Sequence, residues 1–376
     1  MGQESLRRLG GRKSKASPPI LSQEFIIQNH GDIMSCVVML VFAGFMFQVT
    51  SPIAALFVTP QYNETVEVGN GQTVARYTNG VKDIFSVIFY TVCAVVAHAV
   101  VQEYLLDKLQ RRLHLSKTKT SKFTESGHLF LFAAYAVGHA LYVLNTEQYI
   151  PDLSSLWSGY PDSHAKMPLN LKLFYLVQLA WWFHQFPEFY FQKSKKDEIR
   201  TRSVYTILYI LFIGAAYTLN FTRVSLAILA LHFASEFIFH GCRMAHFADK
   251  TTISASGFKL FNLVFVVARL GCVSLAVLTF WYGLRSSEVP TVNVATGNFN
   301  TTFIRLNCLL CVCGLQAWMM WNFITFHLKR MRTAPSKARY PLRNKQKKVR
   351  KTEDELPEAD QETSRVLRSA RKDKAE

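Results

Sequence analysis

The stretch "LHFASEFIFH" sets His232, Glu236 and His240 at intervals of four residues, so on a helix all three stand on one face. Imidazole and carboxylate are the groups of general acid–base work and of metal ligation, and the stripe suits either. A second stretch, "WWFHQFPEFYFQKSKK", carries His184 and Glu188 around Pro187 in an aromatic run that ends in lysines. Arg269, inside "VVARLG", is a third unexpected charge. One straight helix seldom completes a metal shell, so no metal is expected from the His/Glu/His face. The spacing in "CLLCVC" at 308–313 resembles a ligand pattern, but inside an apolar helix small thiols are packing residues. No glycine-rich phosphate loop, G-x-S-x-G, H-E-x-x-H or paired CxxC accompanies them, and no cofactor is implied.

The elements that must hold these residues are long and apolar. The chain has 376 residues, 49% hydrophobic and 13% aromatic, with a formal charge of +17. Windows of about 19 residues pick out eight apolar blocks, at 33–58, 81–106, 127–146, 169–191, 203–220, 223–240, 258–282 and 303–328. Each approaches the ~20 residues that carry a helix across about 30 Å of hydrocarbon. The fold class expected is therefore all-α, a polytopic membrane protein of about eight transmembrane helices. The fifth and sixth blocks, joined near Asn220, should form a tight helical hairpin. The first block is too long for a signal-peptide core and reads as a retained anchor.

Lysine and arginine set the orientation, because basic flanks stay in the cytosol. With a cytosolic N-terminus, the loops on that side hold 34 of them and the opposite loops hold 4, namely Arg76, Lys166, Arg223 and Arg285. Both termini are expected in the cytosol. The positive charge is then a topological signal, and no nucleic-acid partner is implied. Three sequons, at Asn63, Asn220 and Asn300, fall on the lumenal side; Asn220 and Asn300 abut helix ends, which leaves Asn63 as the better glycosylation site. None of the seven cysteines lies in a lumenal loop, so no disulfide framework is expected. The organisation expected is a cytosolic tail at 1–32, two helices with a lumenal loop over 33–116, a six-helix membrane domain over 117–328 and a disordered basic tail at 329–376.

Charge at bilayer depth is costly unless it faces protein or water. His184 lies about 20 Å from the lumenal end of its helix, and Glu236 and Arg269 each about 18 Å from theirs. These depths predict a polar layer in which Glu236 pairs with Arg269 and His184, Glu188, His232 and His240 lie alongside. The face of the sixth helix opposite its polar stripe is aliphatic and suits lipid. Pro187 should bend the fourth helix by freeing the carbonyl of Phe183. Three uses of the layer stay open: hydrogen bonds fixing the helices' register, a lateral groove for a polar or amphipathic segment, and a lipid-modifying site.

Certain stretches resemble a known family. "SPPILSQEFIIQNHGDIMSC", "HAVVQEYLLDKLQRRLHLSKTKTSKF", "WWFHQFPEFYFQKSKK", "LHFASEFIFH", "TGNFN" and "QAWMMWNFI" are similar to the translocating chain-associated membrane proteins, nearly continuously from residue 17 to about 330. The resemblance implies a TLC domain over the six-helix part and residence in the endoplasmic reticulum membrane. It implies an accessory role in protein translocation, with the protein-conducting channel, nascent signal sequences and transmembrane segments, and membrane lipids as partners. It also places Asn63 at a glycosylated lumenal position. Thr124 in "SKFTESG", and the lack of Pro after the Ile of "DEIRTR", depart from the family pattern. The TLC module is shared with ceramide synthases, which implies the runner-up reading of a lipid acyltransferase; a lipid-sensing scaffold is a third. Enzymes of that class carry adjacent histidines in a membrane helix. Here the eleven histidines are isolated from one another in sequence, and the expectation is a protein that is not an enzyme. Lys372 and Lys374 in the terminal "KDKAE" look like a dilysine retrieval signal.

Overall fold

The computed structural model describes residue 19 and residues 22–68, 72–192 and 196–333. The retrieval lysines Lys372 and Lys374, most of the C-terminal tail and the start of the N-terminal tail lie outside the described residues. A short helix, Gln23–Gln28, leads into α1, His30–Ala43. After a 3-10 turn at Gly44–Met46 the chain forms α2, Ser51–Val58, with Pro52 in its first turn. The first apolar block is thus not one straight rod. The Thr50 hydroxyl takes the carbonyl of Gly44 at 2.7 Å, satisfying backbone where the ladder breaks.

Beyond α2 the sequence turns polar, with the β-branched residues Thr65, Val66, Val68, Thr73 and Val74, which suit strands. Residues Asn63–Val68 and Gln72–Tyr77 form the antiparallel strands β1 and β2, with Asn63 opposite Tyr77. This hairpin is a local addition to an otherwise helical molecule. The helices that follow are α3, Asp83–Val101, continued by a π turn at Gln102–Leu106 and a helical end at Asp107–Leu113; α4, Lys117–Thr146; and α5, Leu169–Phe191. Then come α6, Lys196–Thr218; α7, Thr222–Phe247; α8, Thr251–Ala276, extended by a π turn at Val277–Tyr282; and α9, Thr302–Thr333. The hairpin of α6 and α7 turns on Asn220, which adopts a left-handed φ of 59°.

Six of the described helical runs are long and apolar enough to cross a bilayer: Asp83–Leu113, Lys119–Thr146, Ile199–Thr218, Thr222–Phe247, Thr251–Ser287 and Thr302–Arg332. They correspond to six of the eight sequence blocks. The other two blocks are the broken α1–α2 segment and α5. Helix α5 has 23 residues, enough for a crossing by length, but Lys172, Gln178, His184 and Glu188 lower its hydropathy. All four are buried against protein.

Helix α7 is the hub, packed along most of its length between α4 and α8. Its face away from the polar stripe holds Ala227, Leu231, Ala234 and Ile238, all half-buried. That face is aliphatic and lies between α4 and α8, beside Val137, Leu141 and Leu275. One apolar core joins α4, α5, α6 and α7 around Phe174, Leu226 and Phe233, and a second joins α4, α7 and α8 around Phe123, Phe239 and Phe261. Helix α3 packs on α5, and α1 packs on α3. At Gly31 a methyl group would stand 2.8 Å from the Ala99 Cβ, so only glycine admits this approach of α1 to α3.

At the hairpin end a buried ion pair fixes α3 to α5. Lys172 Nζ lies 2.7 Å from Asp83 Oδ1, with side chains 0% and 5% exposed. The ammonium also donates to the carbonyls of Gln61 and Thr78, at 2.7 Å each, and the Tyr217 hydroxyl donates to Asp83 Oδ2 at 2.8 Å. Every charged oxygen and nitrogen there has a partner, the condition under which a buried pair is tolerated.

Candidate functional site: a polar cavity in the membrane bundle

At the opposite end, where the chain enters α1 and leaves α9, the helices enclose a cavity of about 1000 Å³. Residues of the α1 entry and of α3, α4, α5, α6, α7 and α9 line it. One wall carries His98 and His128, with His184 of a third helix buried behind them. The π turn that follows Val101 shifts the register of α3 beside His98 and Gln102. His98 of α3 stacks on His128 of α4, with ring centroids 3.5 Å apart and 15° between planes. His98 Nδ1 lies 3.3 Å from His184 Nε2 of α5, and its Nε2 lies 3.2 Å from Glu188 Oε1. Gln192 donates to the same carboxylate oxygen at 2.8 Å, and His128 Nε2 meets Gln102 Oε1 at 3.0 Å. His184 is itself held by its Nδ1 on the carbonyl of Trp181.

The facing wall belongs to α7. His232, Glu236 and His240 form the stripe their spacing predicts and all three border the cavity. Arg269 of α8, 1% exposed, reaches the hairpin-side end of that stripe. Its Nη2 bonds His232 Nδ1 at 3.1 Å and Ser235 Oγ at 3.0 Å, and its Nη1 bonds Gln316 Oε1 of α9 at 3.0 Å. Tyr209 of α6 takes His232 Nε2. The pairing expected of Glu236 with Arg269 is not formed. The stripe spans eight residues, or about 12 Å of helix, and Arg269 meets its far end. Glu236 instead has His240 Nε2 at 3.5 Å, and its side chain is 20% exposed while bordering the cavity.

Towards the rim, Arg202 of α6 pairs with Glu125 of α4 at 2.9 Å, and Arg243 of α7 approaches the same carboxylate at 3.6 Å. Thr124 borders the cavity and hydrogen-bonds Gln110.

Of the residues singled out from sequence, Glu188 sits on one wall with His184 behind it, and His232, Glu236 and His240 on the other with Arg269 behind them. The stretch around Pro187 places Trp182, His184 and Glu188 in the protein while Phe183 and Phe186 stay exposed. The helix runs on through Pro187 to Phe191. Asn63, far from the cavity, is exposed at the start of β1. Asn220 and Asn300 are buried, their amides bonded to the carbonyls of Gly297 and Leu284.

Sequence reasoning missed His98, His128, Asp83 and Lys172. His98 and Gln102 were legible as an i, i+4 polar pair closing an apolar block, and Asp83 and Lys172 as opposite charges opening two blocks at the same end. The histidines that sequence separates are brought into contact by the fold. Among the described residues no group of three or more His, Cys, Asp or Glu side chains is arranged to hold a metal ion.

Comparison with known proteins places this architecture. A family model described as the TLC domain matches residues 122–325. Translocating chain-associated membrane protein 2 of Homo sapiens is 46% identical over 321 residues, 85% of this chain and 85% of that protein. The Mus musculus protein of the same name is 46% identical over 324 residues with the same coverage. More distantly, ceramide synthase 4 of Mus musculus is 28% identical over 161 residues, 43% of this chain and 39% of that protein. A sphingosine N-acyltransferase-like protein of Alternaria alternata is 27% identical over 205 residues, 54% of this chain and 46% of that protein. The chain belongs to the family of translocating chain-associated membrane proteins, built on a TLC domain.

Proposed function

We propose that this protein is an accessory of the protein translocation machinery of the endoplasmic reticulum, contacting nascent secretory and membrane chains and aiding signal-sequence insertion. The observation that carries the reading is the 46% identity to translocating chain-associated membrane protein 2, which runs through 85% of both chains. On this reading the chain crosses the membrane eight times, α5 and the broken α1–α2 segment completing the six apolar runs. Both termini are cytosolic, as the 34 to 4 division of basic residues favours. The hairpin is lumenal, Asn63 is glycosylated, and Lys372 and Lys374 return the protein to the endoplasmic reticulum. The partners are the protein-conducting channel, nascent hydrophobic segments and membrane lipids.

The size of the cavity limits how a client engages. A 20-residue helix about 10 Å across and 30 Å long occupies roughly 2,400 Å³, more than twice the cavity's 1000 Å³. A nascent helix therefore meets the lipid-facing surface, where Phe183 and Phe186 of α5 and Leu40 and Phe47 of the first segment are exposed. The test is a photo-crosslinker at Phe183 or Phe47 in microsomes carrying stalled nascent chains. Adducts with signal sequences are expected; adducts with lipid alone at every such position would overturn the reading.

One observation favours a second reading, a TLC-type acyltransferase: Glu188 and His98 pair at 3.2 Å on the cavity wall, with His184 behind His98, geometry suited to general-base work. Purified protein given acyl-CoA and a long-chain base is expected to be inert. Product formation abolished by His98→Ala would establish the enzyme instead.

A further inference from the structure

Helix α9 carries two seams. One is used: Arg305, Val312 and Gln316 are buried where the helix packs on α8. The other is bare. From Phe303, alternate steps of four and three residues lead to Met331, and every position they reach is exposed. An offset of two residues turns a helix by about 200°, so the bare seam lies nearly opposite the used one. A seven-residue repeat held this long is the pattern of a helix that winds on a second helix.

Acyl chains do not account for what the bare seam holds. Asn307 donates its amide to the carbonyl of Phe303 at 2.7 Å, and no described residue meets its Oδ1. Hydrocarbon offers that oxygen no donor. Gly314 stands at mid-helix, where glycine is a weak helix former, yet a methyl group there would meet nothing within 4 Å. The fold does not require the glycine; a second backbone approaching closely would. Ala317 follows it on the seam. The bare faces of α6 and α8 differ, with Val204, Leu208 and Leu211 on one and Leu260, Leu263 and Val267 on the other.

The far end of the seam leaves the bilayer. Arg305 meets Glu288 at 2.7 Å near the hairpin end. The ~20 residues that cross the hydrocarbon from there end near Thr325. Leu328 and Met331 lie beyond, 43% and 67% exposed among Lys329, Arg330 and Arg332, where lipid tails do not reach. The seam is about 42 Å long, whereas a 20-residue nascent segment is about 30 Å and would leave one end uncovered. A second copy of α9 has the required length. Two copies with the same topology run their α9 helices parallel, which sets Gly314 against Gly314 and brings both Asn307 side chains to one level. Each Oδ1 can then accept from the other amide. A lone asparagine at an a position is the device that fixes register in parallel two-stranded coils.

We propose that the bare seam of α9 is the interface of a homodimer, the two helices winding in parallel as a left-handed pair. This assignment does not depend on the translocation reading. The experiment is oxidative crosslinking of the full-length protein in microsomes, with Cys311→Ala removing the thiol beside the seam. One cysteine is added, Met331→Cys on the seam or Arg330→Cys one residue off it. The Met331→Cys chains should join into disulfide-linked dimers about tenfold more readily than the Arg330→Cys chains. Adding Gly314→Leu or Asn307→Leu should lower that yield about tenfold, the effect of one interhelical contact. A melting temperature within a few degrees of the parent in either variant establishes that the bundle is intact. Equal joining of the two cysteines, no dimer, adducts with another protein in place of a second copy, or a yield unchanged by both seam variants would each overturn the proposal.

Discussion

At the hairpin end of the bundle, Lys172 and Asp83 meet at 2.7 Å, the ammonium also donating to the carbonyls of Gln61 and Thr78 and the Tyr217 hydroxyl to Asp83 Oδ2. At the other end Glu188 and Glu236 border a cavity with a bare carboxylate oxygen and a partner no nearer than 3.5 Å, respectively. Both regions put charge at or near membrane depth. In the first, the charges are spent on holding α3, α5 and the hairpin together. In the second, they border a cavity. Burial and charge alone therefore do not separate the two ends; the open space beside the second pair does.

The comparison predicts its largest contrast in stability. Asp83→Asn leaves the Lys172 ammonium buried with carbonyls alone, and Lys172→Met leaves the Asp83 carboxylate unpaired; each should cost about 3–5 kcal/mol. The double variant should recover part of that loss, because no lone charge remains. Thermal unfolding of the detergent-solubilised protein measures it. Single variants that melt with wild type would erase the distinction between the two ends.

Arg269 gives the next effect in size. It bonds His232, Ser235 and Gln316 but not Glu236. A double-mutant cycle between Arg269 and His232 should give a coupling of about 0.6–1.7 kcal/mol, the range of interhelical hydrogen bonds in membranes. The cycle between Arg269 and Glu236 should be additive within about 0.5 kcal/mol. Strong coupling in the second cycle would return Glu236 to the structural network of Arg269.

How much of this was legible in sequence follows from what each signal encodes. Helix positions come from hydropathy, which is local, and six crossings are where the apolar blocks lie. The stripe of His232, Glu236 and His240 is also local, since its spacing is that of a helical turn. Partners are not local. Depth arguments put Arg269 and Glu236 at one level, yet a step of one helical turn moves a side chain by about 5.4 Å, and His232 intervenes. The histidine wall needs α3, α4 and α5 together, and no interval in the chain signals that His98 meets His184. The β-branched residues of β1 and β2 carry strand propensity without a clear alternation, within a loop too short to look like more than a connection.

The loop after α4 offers a smaller test of the hairpin end. His164, outside the membrane spans, is 2% exposed and donates from Nε2 to the Ser158 carbonyl at 3.1 Å. Burial, with Arg223 close by, lowers its pKa from 6.5 to about 3. The unfolded chain takes up the proton first, so the stability His164 supports is whole above about pH 6.5 and falls as the pH drops towards 3. His164→Asn should flatten that part of the melting-temperature profile; an unchanged slope would show that other groups govern acid sensitivity.

The smallest effect expected on the fold comes from Asn63. Its side chain is exposed on β1, whereas Asn220 and Asn300 are 1% and 0% exposed and use their amides inside the protein. An attached glycan at Asn63 would point into solvent without disturbing the hairpin, whose anchor is Lys172 on the carbonyls of Gln61 and Thr78. Asn63→Gln should therefore remove a single glycan, seen as one step in gel mobility that endoglycosidase reproduces, and leave the melting temperature unchanged. Asn220→Gln and Asn300→Gln should do the reverse, leaving mobility alone and lowering stability by about 1–3 kcal/mol each, because buried amide partners are lost. A glycan on Asn220 or Asn300 would mean that the hairpin end opens before it closes on its ion pair.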